Sequence, residues 1–290
     1  MEFHMNNTSW NESCNSTNNS CKTPQAFQCF QGSEGFILYV FTWIIICVGL
    51  PLILLAIYSL CSMVRKDHSA PVYVINLLIS DTIQFLCMIG WVAEKNCNSI
   101  FLYIYHYGLF SGVGFMVCIS LERYLVVAWP LWYRFRRTIK TSVVVCVLVW
   151  ILPLVVIILA QIAAHVVPTI VAIYLLLPLP LFIFFLGGTL KALSGSISVS
   201  SDEKRRIVAV FIVVLLIYIL LFLPRIMWLL SGEDKTSSRS ILVSNILRQL
   251  SPLADLILYI FMRKGAADKI LASLCCCRMQ LQESPDEQHE

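Results

Sequence analysis

Charged residues are scarce in this chain. Of its 290 residues, 13% are charged and 58% are hydrophobic, whereas a soluble domain carries about 25% charged residues. A hydrocarbon core about 30 Å thick is crossed by roughly 20 apolar residues in a helix. Because a lipid-exposed backbone must satisfy its own hydrogen bonds, the sequence predicts an all-α membrane protein, a seven-transmembrane helix bundle. The predicted spans are 36–64, 71–93, 100–127, 141–162, 167–190, 206–230 and 241–261.

The sequence also lacks the patterns that mark catalysis. It contains no cluster with metal-ligand spacing, no Gly-rich phosphate loop and no nucleophile elbow, so we expect neither an enzyme nor a metal centre. It has no internal repeat of the kind that many transporters show. A small-solute transporter, with Asp81 and Asp255 on its path, is nevertheless the alternative from a different class.

The N-terminal segment, residues 1–35, has no apolar run typical of a cleaved signal peptide, and we expect the first span to direct insertion. With the N-terminus outside, most of the 21 Lys and Arg residues fall on the cytoplasmic side, as membrane proteins prefer. The sequence therefore predicts a multi-pass protein of the plasma membrane. Topology and inner-leaflet lipids account for the net charge of +4, so we expect no nucleic-acid partner.

Features of the outer side suggest a glycosylated and cross-linked N-terminal segment. Five Asn-x-Ser/Thr sequons predict glycosylation at Asn6, Asn7, Asn11, Asn15 and Asn18. The cysteines expected in oxidising space are Cys14, Cys21, Cys29 and Cys97. Four cysteines allow three pairings. Since no cysteine lies between residues 146 and 275, any bridge to Cys97 must start in the N-terminal segment.

The segment after the bundle, residues 263–277, predicts a short amphipathic eighth helix lying on the membrane. It ends in three juxtamembrane cysteines that are palmitoylation candidates, namely Cys275, Cys276 and Cys277. Three reduced thiols in an unstructured tail are the alternative. Residues 278–290 are acidic and predicted to be a disordered cytoplasmic tail.

A guanidinium at the end of the third span is costly unless it is paired or used. Arg123 lies there in Glu122-Arg123-Tyr124, and Glu122 is its adjacent partner. The simpler interpretation is a positively charged anchor on the cytoplasmic side.

Further motifs accompany this triplet within the predicted bundle, residues 36–262. They are Asp81 in the second span, Trp150 in the fourth, Phe222 and Pro224 in the sixth, and Asp255 with Tyr259 in the seventh. With them, the chain resembles rhodopsin-like (class A) G-protein-coupled receptors over roughly residues 36–277. The stretch 122–137 is most similar to the Mas-related receptors, and the second span is similar to the proton-sensing and lipid-receptor group.

The chain also departs from that family at several positions. Ile53 stands where the family usually places Asn, Leu256 where it places Pro, and Phe222 where it places Trp. Gly187 and Gly188 replace an expected tyrosine, and the link between the fourth and fifth spans has no cysteine. These losses make a receptor that binds ligand but couples poorly a second alternative.

The resemblance implies partners and switch residues. The implied partners are an extracellular ligand, a heterotrimeric G protein, arrestin, receptor kinases and membrane lipids. The residues that it assigns to the switch and to G-protein coupling are Glu122, Arg123, Tyr124, Arg136, Arg137 and Tyr259. In this scheme Glu122 holds Arg123 at rest.

Asp81 and Asp255 are two carboxylates at mid-membrane depth, which would share a proton or a cation. The resemblance implies a sodium and water pocket there, and sodium is the one cofactor that it raises. Two protonated, hydrogen-bonded acids are the alternative.

Two arginines in the outer halves of the spans, Arg225 and Arg248, should face the bundle interior and favour an anionic ligand. The other candidate ligand contacts are Glu94, Tyr105 and His106. Alternatively the arginines pair with acids, of which Glu94, Glu233 and Asp234 are the candidates. His106 and His165 also admit a proton-sensing interpretation.

Overall fold

The computed structural model describes residues 32–66, 72–94, 99–136, 139–162, 167–195, 201–231 and 238–262. All regular secondary structure within those ranges is α-helical. The helices are α1 (Gly32–Lys66), α2 (Val72–Glu94), α3 (Ser99–Ala128), α4 (Pro130–Arg136), α5 (Ile139–Ile162), α6 (Val167–Leu176), α7 (Pro178–Ser194), α8 (Ser201–Ser231), α9 (Ser238–Gln249) and α10 (Ser251–Met262).

Seven stretches among the described residues are long and apolar enough to cross a membrane, which confirms the predicted seven-helix bundle. Two predicted spans are divided in the structure. The fifth is split into α6 and α7 just before Pro178, and the seventh into α9 and α10 just before Ser251 and Pro252. Proline cannot donate a backbone hydrogen bond and crowds the preceding turn, which explains a break at each place.

Large apolar side chains lie both inside the bundle and on its outer surface, as expected for a protein surrounded by lipid. Aromatic and aliphatic residues such as Phe85, Phe115 and Phe182 are buried between helices, while α5 turns Val144, Leu148 and Ile151 outward. Outward apolar side chains match lipid, so exposure of this kind is expected for a membrane-spanning helix. The predicted eighth helix and both terminal segments lie outside the described residues.

Helices α2 and α3 approach closely because α3 carries glycines on the shared face. A Cβ on Gly108 would lie 3.0 Å from the carbonyl oxygen of Ser80, and one on Gly112 would lie 3.2 Å from the Ser80 hydroxyl. Small residues permit such close helix packing in membranes. Helix α5 is tied to α2 by the Trp150 indole N–H, which donates to Asn76 Oδ1 at 2.9 Å.

Candidate functional site

A polar cluster joins α3 to α9 in one half of the bundle. Arg248 Nη1 lies 2.9 Å from Nε2 of His106. The guanidinium carbon lies 5.4 Å from the centre of the Tyr105 ring, within cation–π range. The Tyr105 hydroxyl donates to the backbone carbonyl of Arg248 at 3.0 Å. Three predicted ligand contacts, Tyr105, His106 and Arg248, are therefore in mutual contact.

The hydrogen bonds of His106 assign its tautomer. Nδ1 lies 2.7 Å from the carbonyl oxygen of Leu102, and a carbonyl can only accept. Nδ1 must therefore carry the proton, which leaves Nε2 as the acceptor for the Arg248 N–H. His106 is neutral in this arrangement, because protonated Nε2 would set two donors against each other.

Arg225 on α8 lies close enough to Arg248 and His106 to interact with both electrostatically. The region therefore concentrates positive charge. Among the residues that the structure describes, no carboxylate contacts the Arg248 guanidinium, whose side-chain contacts are His106 and Tyr105. Glu94 is exposed at the end of α2, while Glu233 and Asp234 lie outside the described residues.

Two buried N–H groups near this cluster have no hydrogen-bond partner among the residues that the structure describes: Nε of Arg248 and Nε1 of Trp91. The Trp91 ring packs 4.9 Å from that of Tyr105, measured between centroids. A buried donor without an acceptor is costly. An acceptor-bearing ligand or water would satisfy both groups. Sequence reasoning missed Trp91, because a tryptophan in an apolar span is usually a packing residue.

The two mid-membrane carboxyl groups lie close enough to interact. Asp81 on α2 and Asp255 on α10 are 0% and 1% exposed, and their carboxyl groups interact with each other. Gln84 Nε2 lies 3.4 Å from Asp81 Oδ1. Within the described part of the chain, no N–H or O–H donates to Asp81 Oδ2, to either carboxylate oxygen of Asp255 or to Gln84 Oε1. An all-oxygen set of this kind fits a hard cation, and one proton shared by the pair is the other chemical solution.

The far end of α3 holds the predicted switch residues. Glu122 Oε1 accepts a hydrogen bond from the Tyr133 hydroxyl at 2.5 Å, which ties α3 to α4. Arg123 is half-buried. Tyr133 was not predicted to contact Glu122, since only the fold brings α4 back against α3.

The remaining predicted switch residues lie elsewhere. Tyr259 packs against the hydrophobic core, and Arg136 is the last residue of α4. Arg137 lies outside the described residues.

The Tyr124 side chain packs against α7. Its ring stacks 5.7 Å from that of Phe185 and meets Phe184 edge-on at 5.9 Å. A Cβ on Gly188 would come within 2.5 Å of the Tyr124 ring. The glycine that replaces the expected family tyrosine therefore provides the space that the Tyr124 ring occupies.

The predicted modification sites fall outside the described residues. These are the five sequons, the cysteines Cys14, Cys21, Cys29 and Cys97, and the palmitoylation candidates Cys275, Cys276 and Cys277. They stay predictions.

Residues 54–168 match the family described as 7 transmembrane receptor (rhodopsin family). The chain is 34% identical over 124 residues to Mas-related G-protein coupled receptor member X1 of Homo sapiens, covering 40% of this chain and 38% of that receptor. It is 32% identical to a purinoceptor of Xenopus laevis, and the match covers 36% of this chain and 21% of that receptor. It is 29% identical to G-protein coupled receptor 68 of Mus musculus, and the match covers 37% of this chain and 32% of that receptor. The matched stretch thus spans less than two fifths of each of these relatives.

Proposed function

The chain is similar to the rhodopsin-like (class A) receptors of the Mas-related and proton-sensing groups, and on that premise we propose that it is a cell-surface receptor. It converts binding of an anionic extracellular ligand into activation of a heterotrimeric G protein. The observation that carries the ligand class is the Arg248 cluster, in which a guanidinium contacts an imidazole and a phenol ring. With the N-terminus outside, this cluster lies toward the extracellular side.

An anion would make three favourable interactions with this cluster. It would offset the mutual repulsion of Arg225 and Arg248, and it would accept from Arg248 Nε and Trp91 Nε1, which have no acceptor among the described residues. A guanidinium offers a planar pair of donors that matches a carboxylate or phosphate. A cationic ligand would add to the positive charge already gathered there.

Ligand binding would shift the receptor between two states through its differential affinity for them. Arg248 gives one N–H to His106, and an anion held by the remaining N–H groups of the same guanidinium would pull on that side chain. Binding would therefore change the link between α3 and α9. At the other end of α3, rearrangement of Glu122, Tyr133 and Arg123 exposes Arg123 to the G protein. Arrestin, receptor kinases and membrane lipids are further partners that the resemblance implies.

The acid pair lies on α2 and α10, between the proposed ligand site and the switch. A sodium ion would be held by Asp81, Asp255 and Gln84, and it would supply positive charge that lets both carboxylates stay ionised. Without it, the two acids would share a proton. Either way, the pair couples the positions of α2 and α10.

A guanine-nucleotide exchange assay on the full chain, with a promiscuous G protein, tests this proposal. The probes are small carboxylates and phosphates, each beside its amide or amine analogue. Arg248→Ala should cost about 1.5–3 kcal/mol of agonist binding, which is about tenfold to hundredfold in potency. Arg248→Lys should recover part of that loss, since an ammonium cannot make the planar contact.

The matched control is Tyr103→Ala, which removes an exposed ring near the same end of α3 and should leave potency unchanged. Equal potency of a neutral analogue in wild type and Arg248→Ala would contradict the anionic assignment. Anion binding without nucleotide exchange would instead favour the poorly coupling alternative, to which the replaced tyrosine at Gly188 gives some support. Solute flux in proteoliposomes would favour the transporter.

A further inference from the structure

A cavity lies at the opposite end of α3 from the Arg248 cluster. With a rise of about 1.5 Å per residue, Glu122 is roughly 24 Å along α3 from His106. The cavity has a volume of about 340 Å³ and is lined by residues of α2, α3, α4 and α5. Its lining residues are Tyr73, Cys118, Leu121, Glu122, Leu125, Trp132, Tyr133, Thr141, Ser142 and Val145. The volume falls within the range of about 300–1,000 Å³ for small-molecule sites.

The polar groups of the cavity belong to one carboxylate and several hydroxyls. Glu122 holds the Tyr133 hydroxyl, and the hydroxyls of Tyr73 and Ser142 lie beside each other. A carboxylate has about four lone-pair positions, so Glu122 can accept from a ligand while it holds Tyr133. This lining suits a headgroup that donates hydrogen bonds.

The remaining walls of the cavity are apolar and extend to the outer surface of the bundle. Leu121, Leu125 and Val145 line the cavity, and Leu121 and Trp132 are also exposed on the outer surface. The neighbouring α5 residue, Val144, is 58% exposed and faces lipid when the helices span a membrane. An acyl chain could therefore leave the cavity directly into the bilayer.

We propose that this cavity binds an uncharged, hydroxyl-bearing amphiphile drawn from the membrane leaflet on the Glu122 side. An anionic headgroup would be repelled by Glu122. A cationic headgroup would enter a region already rich in Arg and Lys, since Arg123 and Lys140 lie next in sequence to lining residues. Hydroxyls avoid both costs, and they can pair with Glu122 and with the hydroxyls of Tyr73 and Ser142.

The occupant would act on α4. Its headgroup would lie against the Tyr133–Glu122 hydrogen bond, which ties α4 to α3 next to Arg123. A bound amphiphile fills the space beneath α4 and stabilises its present position. The inference requires that the helices span a membrane, but it needs neither a ligand at Arg248 nor a G protein.

Photo-crosslinking in phosphatidylcholine vesicles tests the site without any signalling readout. The full chain is reconstituted with a monooleoylglycerol that carries a diazirine on the acyl chain near the glycerol, and adducts are located by peptide mass spectrometry. Adducts should concentrate in 118–125 and 141–145. Unlabelled monooleoylglycerol should compete several-fold better than oleate or oleylamine at the same mole fraction. Glu122→Gln should weaken that competition by about fivefold, because a bond to a charged acceptor becomes a neutral one.

Val145→Trp fills the cavity, whereas Val144→Trp places the same ring on the lipid-facing side. The first should abolish the concentrated adducts and the second should keep them. Equal adducts in both variants, adducts spread evenly over lipid-facing residues, or equal competition by oleate or oleylamine would overturn the proposal. If Val145→Trp does not fold, the competition in wild type decides alone.

Discussion

His106 contacts Arg248 through one ring nitrogen, Nε2. The contribution of this hydrogen bond to the stability of the fold can be measured. The bond joins residues 142 positions apart in sequence, so it closes the bundle between α3 and α9. His106→Phe keeps a flat ring but removes the acceptor, which leaves the buried guanidinium with one partner fewer. We expect the free energy of unfolding to fall by about 1–3 kcal/mol.

Thermal unfolding of the purified full chain measures that loss. Tyr103→Phe is the control, because Tyr103 is exposed on the same helix and its ring is kept. An unfolding temperature of His106→Phe equal to that of wild type would show that the Arg248 contact contributes nothing to the resting fold.

The acid pair predicts a dependence on the cation in the buffer. If sodium binds Asp81 and Asp255, wild type should unfold at a higher temperature in sodium chloride than in choline chloride, since ligands that bind the folded state stabilise it. Asp255→Asn removes one charge and should abolish the difference. Identical unfolding of wild type in the two salts would contradict sodium binding and favour a shared proton.

Helices α3 and α4 are linked by the hydrogen bond between Tyr133 and Glu122. Glu122→Gln removes the charge that we propose restrains Arg123, and it should raise basal nucleotide exchange. Tyr133→Phe loses only the hydroxyl and should raise exchange less, because Glu122 keeps its charge. Exchange is compared at equal surface expression, with Tyr58→Phe as control, since Tyr58 is 74% exposed on α1. Unchanged basal exchange in Glu122→Gln would rule out this role for Glu122.

Helices α3 and α7 meet where Tyr124 occupies the space above Gly188. Phe184 and Phe185 flank the ring, so it cannot easily move aside for a new methyl group. Gly188→Ala should therefore destabilise the fold by about 1–3 kcal/mol through overpacking. The adjacent Gly187 has nothing within 4 Å of an added Cβ, and Gly187→Ala should stabilise the helix by roughly 0.5–1 kcal/mol.

The two variants are compared by thermal unfolding, alone and with Tyr124→Ala. Removing the Tyr124 ring should erase the cost of Gly188→Ala and leave the effect of Gly187→Ala unchanged. A cost of Gly188→Ala that persists without the ring would mean that the glycine serves the α7 backbone and not the contact with α3.

The sequence predicted those features of the fold that follow from immersion in a membrane. Scarce charge and span length predicted seven helices, which the structure confirms, and the resemblance to rhodopsin-like receptors is confirmed by the matched family and relatives. Contacts between distant residues were not predictable. Arg248 could be placed inside the bundle from its helical position, but its partner His106 emerged only once α3 and α9 were packed together. The α4 contact of Tyr133 and the space at Gly188 likewise depend on packing between elements.

The glycine contact between α2 and α3 has a mechanical consequence. If α3 slid or rotated against α2, its backbone would clash with the Ser80 carbonyl that now faces Gly108, so α2 and α3 should move as one rigid unit. Helix α3 carries His106 near one end and Glu122 near the other. A signal between His106 and Glu122 therefore cannot come from sliding of α3 against α2. Motion would then come from other helices, such as α8, which carries Arg225, and α9, which carries Arg248.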